Sequence, residues 1–166
     1  EHEQFLYLKE HVFPQMARWE ADSRDWHIWC AASSTGEEPY TLAMLCMDYL
    51  GLDYPNWDTQ VLATDIDTHV LDIARKGIYT KDSVEHLPHT YVRRFFRNYS
   101  DKEYQVTKEL KEQVLFRQFN LMNPLPFSRP LHVVFLRNVM IYFEEETKLR
   151  LLNQIYDKLM PGDICS

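Results

Sequence analysis

Glycine, cysteine and long apolar segments are all scarce in this sequence. Its 166 residues include four glycines and three cysteines, and no two cysteines form a C-x-x-C pair. An odd, scattered set of cysteines is typical of reduced thiols in the cytosol and predicts neither a disulfide scaffold nor a zinc site. No apolar run approaches the ~20 residues that span a bilayer, and residues 1–4 do not resemble a signal peptide. We therefore expect a cytoplasmic protein without membrane insertion.

Positive charge is also in deficit. The chain carries 18 Lys and Arg residues against 25 Asp and Glu residues, which gives a formal net charge of −7. Non-specific binding of nucleic acid depends on Lys and Arg that neutralise phosphates, so we expect no nucleic-acid partner. The length is that of one domain with a sizeable core, and a hydrophobic fraction of 45% excludes a disordered chain.

Short apolar runs alternate along the chain with patterns of helical spacing. Residues 26–32 and 132–136 predict buried strands, residues 60–64 predict a strand, and residues 113–119, which alternate weakly, predict another. The predicted helices are residues 37–49 with Gly51 after them, residues 68–76 ended by Gly77, and residues 144–160. This alternation predicts an α/β fold with a mostly parallel sheet covered by helices on both faces.

The remaining segments give weaker patterns. Residues 5–20 predict a short helix, a break, and a second helix with Pro14 in its first turn. Residues 79–112 predict a mixture of helix and loop, and residues 120–130 predict a loop. Pro161 and Gly162 predict a turn, after which a further strand begins and is not completed.

Polar side chains cluster where the predicted strands end, which is where open parallel sheets bind ligands. After the first strand, Glu37 and Glu38 open the helix that follows the turn. A pyrophosphate would sit poorly beside two carboxylates, so this place favours a cationic ligand. Asp65, at the end of the second strand, suits either ribose hydroxyls or the N-cap of a helix, and the sequence leaves both open. The candidate binding residues in these two loops are Thr35, Gly36, Glu38, Asp65 and Ile66.

Several common motifs are absent. The patterns G-x-G-x-x-G, G-x-x-x-x-G-K-[ST] and G-x-S-x-G do not occur, which weakens dinucleotide, ATP and hydrolase interpretations. S-adenosylmethionine has a ribose, an ammonium and a sulfonium, and Tyr40, Tyr142 and Phe143 are aromatic residues that can face a sulfonium. The histidines have no metal-ligand spacing, and His27 and His132 fall at strand starts, so we expect no metal.

Four longer motifs resemble the CheR-type chemotaxis receptor methyltransferases. They are residues 32–43 (Ala-Ser-Ser-Thr-Gly-Glu-Glu-Pro-Tyr-Thr-Leu-Ala), residues 63–67 (Ala-Thr-Asp-Ile-Asp), Asn120-Leu121, and residues 137–143 (Arg-Asn-Val-Met-Ile-Tyr-Phe). Residues 74–79 and 159–162 add shorter matches in the same order and spacing. The resemblance covers nearly the whole chain.

The resemblance implies a class I, Rossmann-like fold that binds S-adenosylmethionine and releases S-adenosylhomocysteine. It implies a protein-glutamate O-methyltransferase that forms methyl esters on the cytoplasmic helices of chemoreceptors, in signal transduction. It makes Glu38 and Asp65 cofactor contacts, with Asp65 the ribose ligand. It also assigns Asn120 and Leu121 to the adenine side, Leu136 and Arg137 to the pocket wall, and Tyr142 to a place beside the transferred methyl.

One departure from the family concerns catalysis. Members have Phe-Phe-Arg before Pro14, whereas an ungapped match places Leu8 at the Arg and a one-residue shift offers Lys9. We expect Lys9 and Tyr142 to hold the acceptor carboxylate, although Lys lacks the planar fork of Arg. The alternative is a catalytically impaired regulatory module that binds the cofactor. A small-molecule methyltransferase is disfavoured by residues 137–143.

The resemblance also suggests how the chain is organised. Residues 1–24 form a helical lead-in and residues 25–166 the cofactor-binding domain, with a possible small inserted subdomain around residues 90–117. Residues 97–112 contain no glycine, so we do not assume that the insert binds a receptor tail. The family's N-terminal helical domain and last strands have no counterpart here, and an exposed sheet edge makes an oligomer possible.

Overall fold

The computed structural model describes residues 2–136 and 144–165, with side chains described for residues 3–136 and 144–159. Its strands are β1 (Ile28–Cys30), β2 (Val61–Asp65), β3 (Ile78–Thr80), β4 (Phe96–Asn98), β5 (Glu103–Val106), β6 (Val114–Gln118), β7 (Leu131–Phe135) and β8 (Leu159–Cys165). Its helices are α1 (His2–Tyr7), α2 (Phe13–Trp19), α3 (Glu37–Leu50), α4 (Thr68–Lys76), α5 (Lys81–Val84), α6 (His89–Phe95), α7 (Lys108–Lys111) and α8 (Glu145–Lys158). A π-helical segment spans Leu8–Val12 and a 3₁₀ helix spans Gly51–Asn56.

A parallel sheet with the strand order β6-β2-β1-β7-β8 forms the centre of the molecule. Ile28 in β1 lies opposite Val61 in β2 and Val133 in β7. The chain fills the sheet first on one side of β1 and then on the other, so the order reverses between β1 and β7. In open α/β sheets this reversal opens a crevice at the carboxyl ends of the strands.

Both faces of the central strands are buried, as the continuous apolar runs predict. Cys30, Val61 and Val133 belong to a large core cluster that α3 and the amino-terminal helices cover. Trp29 and Val134 point into a second cluster, which Leu151 and Ile155 of α8 complete. The predicted α/β architecture is confirmed.

Local capping residues set both ends of α4 close to the predicted positions. The side chain of Asp67 accepts a hydrogen bond from the backbone N–H of His69 at 2.8 Å and so begins α4. Gly77 ends α4 with a φ of +65°, and a Cβ there would lie 2.3 Å from the Val106 side chain. Both the backbone conformation and the close approach of β5 therefore require glycine at this position.

The break predicted near Pro14 is wrong, because the helical run is continuous from residue 2 to residue 19. The backbone N–H of Phe13 donates to the carbonyl of Leu8, which is the longer π-type hydrogen bond. This widened turn leads into α2, where Pro14 lies in the first turn. Proline suits this position because it has no backbone N–H that would need an acceptor.

A second, three-stranded antiparallel sheet forms within the segment predicted to be helix and loop. Its strand order is β3-β5-β4, with Tyr79 opposite Tyr104 and Phe96 opposite Val106. Each strand has only three or four residues, and most of their side chains are half-buried or exposed. Such strands give no apolar alternation, so this sheet escapes prediction from pattern alone.

The predicted turn at Pro161 and Gly162 is also wrong, because both residues lie inside β8. Leu159 pairs with Leu131, but the next pair is Ile164 with Val133, so the register shifts between them. A bulge of this kind accommodates Pro in a strand, since the ladder hydrogen bond that Pro cannot donate is already interrupted.

Candidate functional site

The loops that follow β1 and β2 meet at one edge of the parallel sheet. Cys30 and Ala63 are paired near the ends of their strands, which brings the two loops side by side. The backbone N–H of Ser33 donates to the carbonyl of Thr64 at 2.9 Å and ties the start of the first loop to β2. The candidate site is built on this edge.

The loop after β1 is a tight, strained turn. Ser34 has a φ of +49° and Gly36 a φ of +98°, and the N–H of Gly36 donates to the carbonyl of Ser33 at 3.0 Å. A Cβ at Gly36 would lie 2.7 Å from the Cβ of Ala74, so this loop packs directly on the last turns of α4. Backbone in the left-handed region persists only where the surroundings enforce it, and such strain is common at ligand sites.

Asp65 links the two loops through both carboxylate oxygens. Oδ2 accepts the backbone N–H of Ser34 at 3.0 Å, and Oδ1 accepts the backbone N–H of Asp67 at 3.0 Å. Asp67 is the residue that caps α4, so the N-cap interpretation of Asp65 is wrong. An ionised carboxylate has about four acceptor positions, so the two N–H groups leave Asp65 able to accept two further hydrogen bonds.

The two acids that open α3 have different environments. Glu37 is exposed and accepts a hydrogen bond from the hydroxyl of Thr35. Glu38 is half-buried, and its Oε1 lies 3.3 Å from the thiol of Cys30 at the end of β1. The structure therefore places Glu38, and not Glu37, over the strand end. Together with Asp65 it gives this edge of the sheet a negative charge.

A pocket of about 390 Å³ opens beside Asp65, a size typical of small-molecule sites. It is lined by Ile66, Gln118, Phe119, Asn120 and Asn123. The Gln118 amide donates to the carbonyl of Ile66 at 3.1 Å and closes one wall. Of the predicted residues, Ile66 and Asn120 therefore lie in the pocket next to Asp65.

Two further predicted residues support this edge from the core. Leu121 is half-buried and packs against the cluster that contains Trp29. Leu136 is 5% exposed and follows directly after β7. Arg137, Tyr142 and Phe143 lie outside the described residues.

Tyr40 does not face the crevice, contrary to the expectation that it is available to a sulfonium. The side chain is 1% exposed, and its hydroxyl donates to the carbonyl of Ala74 at 2.7 Å. Burial raises the pKa of this hydroxyl well above its usual range, so it stays a neutral donor. Tyr40 fastens α3 to α4 below the loop.

Lys9 is engaged away from the strand ends. Its Nζ lies 2.5 Å from Oδ2 of Asp48, which also accepts the hydroxyl of Tyr91 at 2.7 Å. Burial acts to raise the pKa of Asp48, but the hydrogen bonds from Lys9 and Tyr91 outweigh it and hold that pKa below its usual value. Asp48 lies toward the opposite end of α3 from Glu38, roughly 15 Å away at 1.5 Å per residue.

The neighbouring Leu8, which an ungapped match places at the family's Arg, is 4% exposed and belongs to the core. Neither Leu8 nor Lys9 therefore brings a positive charge to Glu38 and Asp65. This geometry does not support the expectation that Lys9 holds an acceptor carboxylate.

Two residues at the site were not singled out by sequence reasoning. The hydroxyl of Ser33 is buried, at 3% exposure of the residue, and has no hydrogen-bond partner in the part of the chain that the structure describes. Buried hydroxyls are almost always paired, so an unpaired one at the tip of β1 is suited to a polar ligand. Tyr79 donates to the carbonyl of Thr35 at 2.6 Å. Ser33 lies in the motif at residues 32–43 and Tyr79 in the match at residues 74–79, so their place in these motifs could have indicated a role at the site.

Comparison with protein families matches residues 1–164 to the CheR methyltransferase, SAM binding domain. The chemotaxis protein methyltransferase of Borreliella burgdorferi is 37% identical over 157 residues, which are 93% of this chain and 56% of that protein. The chemotaxis protein methyltransferase of Escherichia coli is 38% identical over 164 residues, which are 96% of this chain and 57% of that protein. The chain thus spans little more than half the length of these relatives.

Solved structures resemble the chain in fold. A complex of DhpI with SAH has a TM-score of 0.51 at 15% identity, covering 96% of this chain and 56% of that one. The glycopeptide N-methyltransferase MtfA with S-adenosyl-L-homocysteine has a TM-score of 0.51 at 14% identity, covering 91% of this chain and 46% of that one. These likenesses confirm the predicted class I methyltransferase fold, and at such low identity they show the fold alone.

The part of the chain that the structure describes contains neither a membrane-spanning helix nor a metal-binding cluster. None of the helices within residues 2–136 and 144–165 is long and apolar enough to cross a bilayer. In the same residues, no three His, Cys, Asp or Glu side chains are placed to hold a metal ion together. The loops after β1 and β2 with the adjoining pocket therefore remain the candidate site.

Proposed function

We propose a function for this chain because it belongs to the CheR methyltransferase family and matches the SAM binding domain of that family. The relatives are named chemotaxis protein methyltransferases. On this basis the chain binds S-adenosylmethionine and, with the rest of the protein, forms methyl esters on glutamate side chains of chemoreceptor cytoplasmic domains. The reaction takes place in the cytoplasm, where those domains lie.

The observation that carries the proposal is the pair of carboxylates at neighbouring strand ends. Asp65 is held by two backbone N–H groups and keeps acceptor positions for the two hydroxyls of a ribose. Glu38 places a negative charge at the same edge, which favours a cofactor with an ammonium and a sulfonium. Ile66 and Asn120 would then contact the adenine in the adjoining pocket.

The residues present suit this cofactor better than a nucleotide. Ser33 offers a buried hydroxyl without a partner in the described residues, which a polar group of the cofactor can satisfy. Two carboxylates within one edge disfavour a pyrophosphate. When bound, S-adenosylmethionine supplies an activated methyl group. The chain's own contribution is to bind and orient it.

The proposed acceptor needs no general base. A glutamate with a pKa of about 4.3 is already ionised at neutral pH, so no proton has to be removed before attack. Catalysis then depends on aligning the acceptor oxygen with the methyl group, which can be worth roughly 7–11 kcal/mol. We assign the orienting hydroxyl to Tyr142, which lies outside the described residues, and no acceptor contact to Lys9.

A second candidate function is a regulatory module that binds the cofactor without turnover. The observation that favours it is the placement of the amino-terminal helix, where Leu8 is buried and Lys9 is paired with Asp48. Within residues 2–19, neither side chain at the family's Arg position supplies a cation to the strand ends. Binding without methyl transfer would support this alternative.

The test uses the full protein with labelled S-adenosylmethionine and receptor cytoplasmic fragments. The proposal predicts base-labile methyl esters on receptor glutamates, together with calorimetric binding of S-adenosylhomocysteine. A receptor fragment with Gln at the modified glutamates is the matched control and should take up no label. Binding without ester formation would favour the regulatory module, and no binding would overturn both candidates.

Two further expectations stay predictions. One is the division into a lead-in at 1–24 and a domain at 25–166 with an insert around 90–117. The structure describes a small antiparallel sheet between Ile78 and Val106, which begins earlier than that insert. The other is association between chains through an edge of the parallel sheet, whose order ends in β6 and β8.

A further inference from the structure

Tyr79 joins the small antiparallel sheet to the loop after β1. It lies in β3, and its hydroxyl donates to the backbone carbonyl of Thr35 at 2.6 Å across 44 residues of sequence. Thr35 stands between the two residues of the loop with positive φ, Ser34 and Gly36. The hydrogen bond therefore fixes the middle of the loop from outside it.

The loop needs such a contact because its conformation is costly. Ser34 is a non-glycine residue with a φ of +49°, a conformation that persists only where neighbours enforce it. The same turn aims the N–H of Ser34 at Asp65. If the carbonyl of Thr35 were released, Ser34 could relax, and Asp65 would lose one of the two hydrogen bonds that orient it.

Tyr79 is itself firmly placed. Its ring meets Tyr40 edge-on at 6.3 Å between centroids, and a Cβ at Gly36 would approach its hydroxyl oxygen to 2.9 Å. The pairing of β3 with β5 sets Tyr79 opposite Tyr104. Burial raises the pKa of the Tyr79 hydroxyl above its usual range, which keeps it protonated and able to donate.

We infer that Tyr79 is a positioning residue for the cofactor: its hydroxyl holds the loop after β1 so that Ser34 orients Asp65. This inference rests on the proposed function, because it concerns the same cofactor site. Tyr79 acts through the loop and needs no contact with the cofactor. The small sheet thereby contributes to cofactor binding although its strands lie outside the pocket.

The test compares Tyr79→Phe with Tyr104→Phe in the full protein. Tyr104 is the partner of Tyr79 across β3 and β5, and its hydroxyl bonds to no residue that the structure describes. Its ring lies under Nζ of Lys81 at 5.2 Å, a contact that Phe retains. Both variants therefore remove one hydroxyl from the same sheet, but only one removes the bond to the loop.

Three measurements separate positioning from general stabilisation. Calorimetry should show S-adenosylhomocysteine binding roughly three- to tenfold more weakly in Tyr79→Phe, the loss expected for one hydrogen bond, and within twofold of wild type in Tyr104→Phe. Amide hydrogen exchange of the apo protein should be faster in residues 33–38 of Tyr79→Phe alone. In turnover assays, KM for S-adenosylmethionine should rise by the same factor, with kcat little changed.

The outcomes distinguish this inference from the function beneath it. If wild type binds S-adenosylhomocysteine and Tyr79→Phe binds it equally well, the inference is wrong and the proposed function stands. A lowered melting temperature with unchanged affinity would overturn it too, as would equal weakening in Tyr104→Phe. If wild type fails to bind, the proposed function fails and the inference fails with it.

Discussion

The two ends of the parallel sheet carry similar titratable groups but use them differently. At the amino ends of β1 and β7, Nε2 of His132 lies 3.1 Å from Glu20, and Nε2 of His27 lies 3.0 Å from Asp25. Nδ1 of His132 accepts the backbone N–H of His27 at 2.9 Å, and Arg129 lies 3.3 Å from Asp25. The charged and titratable side chains at this end therefore form hydrogen bonds with one another.

At the carboxyl ends, Asp65 is instead held by backbone N–H groups, and the hydroxyl of Ser33 has no partner in the described residues. Backbone N–H groups orient the carboxylate without neutralising its charge, so it can still accept hydrogen bonds from a ligand. A cluster of charged groups therefore indicates a ligand site only where some of its hydrogen-bonding capacity is not used within the cluster. We expect the carboxyl end to govern affinity and the amino end to govern stability.

The largest expected effect comes from Asp65→Asn. An amide cannot accept both backbone N–H groups, and it loses the charge that strengthens hydrogen bonds to ribose hydroxyls, each worth about 1.5–3 kcal/mol when one partner is charged. We expect about 100-fold weaker binding of S-adenosylhomocysteine in calorimetry. Asp25→Asn at the amino end is the matched control and should bind as wild type. A loss below threefold in Asp65→Asn would abolish the distinction between the two ends.

A second substitution tests the amino end. His132 is 2% exposed, and His132→Ala removes its bonds to Glu20 and to the backbone of His27. Two half-buried polar groups then lose this partner and the buried ring leaves a cavity, which should together lower the free energy of unfolding by about 2–3 kcal/mol. Urea denaturation measures this loss, with the exposed His86→Ala as control. Affinity for S-adenosylhomocysteine should stay within twofold, and a marked fall would link the two ends.

The sequence predicts the carboxyl end well because its signals are local. Asp65 directly follows one apolar run, and Gly36 and Glu38 lie in the loop and the helix start that come after another. Parallel strands bring such positions to one edge of the sheet. Gly77 likewise ends α4 at the predicted residue. Helix caps and strand ends depend on residues only a few positions away, so the local sequence pattern is sufficient to predict them.

The features that escaped prediction depend on distant partners. The ion pair of Lys9 with Asp48, and the placement of Tyr91 beside it, require α3 and α6 to be packed already. The bond from His132 to the backbone of His27 joins residues 105 positions apart, although both were expected at strand starts. The spacing of these residues in the sequence predicts neither contact.

A smaller effect should separate the two acids that open α3. Glu38→Gln removes a half-buried charge beside the end of β1, and we expect about fivefold weaker binding of S-adenosylhomocysteine, whose ammonium it would face. Glu37→Gln changes an exposed charge that is already engaged by Thr35, and affinity should stay within twofold. Calorimetry on both variants decides the matter, and equal losses would show that only the net charge of the loop counts.

The smallest effect is a pH dependence that should appear in stability and not in binding. Burial lowers the pKa of His132, and its bond with Glu20 opposes this shift without cancelling it. The folded state therefore holds the neutral ring more strongly than the unfolded state, where the pKa is about 6.5. Protonation would also place a hydrogen on Nδ1, which now accepts the N–H of His27.

With this sign, the contribution of His132 to stability is complete above pH 6.5 and is lost progressively as the pH falls below it. The free energy of unfolding in urea should decline from pH 7.5 to 5.5, and His132→Gln should flatten that decline while His86→Gln should not. Affinity for S-adenosylhomocysteine should change little over the same range, because the contacts of His132 lie at the opposite end of the sheet from Asp65 and Glu38. If affinity and stability declined together and His132→Gln altered both slopes, the amino end would contribute to binding, and the division between the two ends would be wrong.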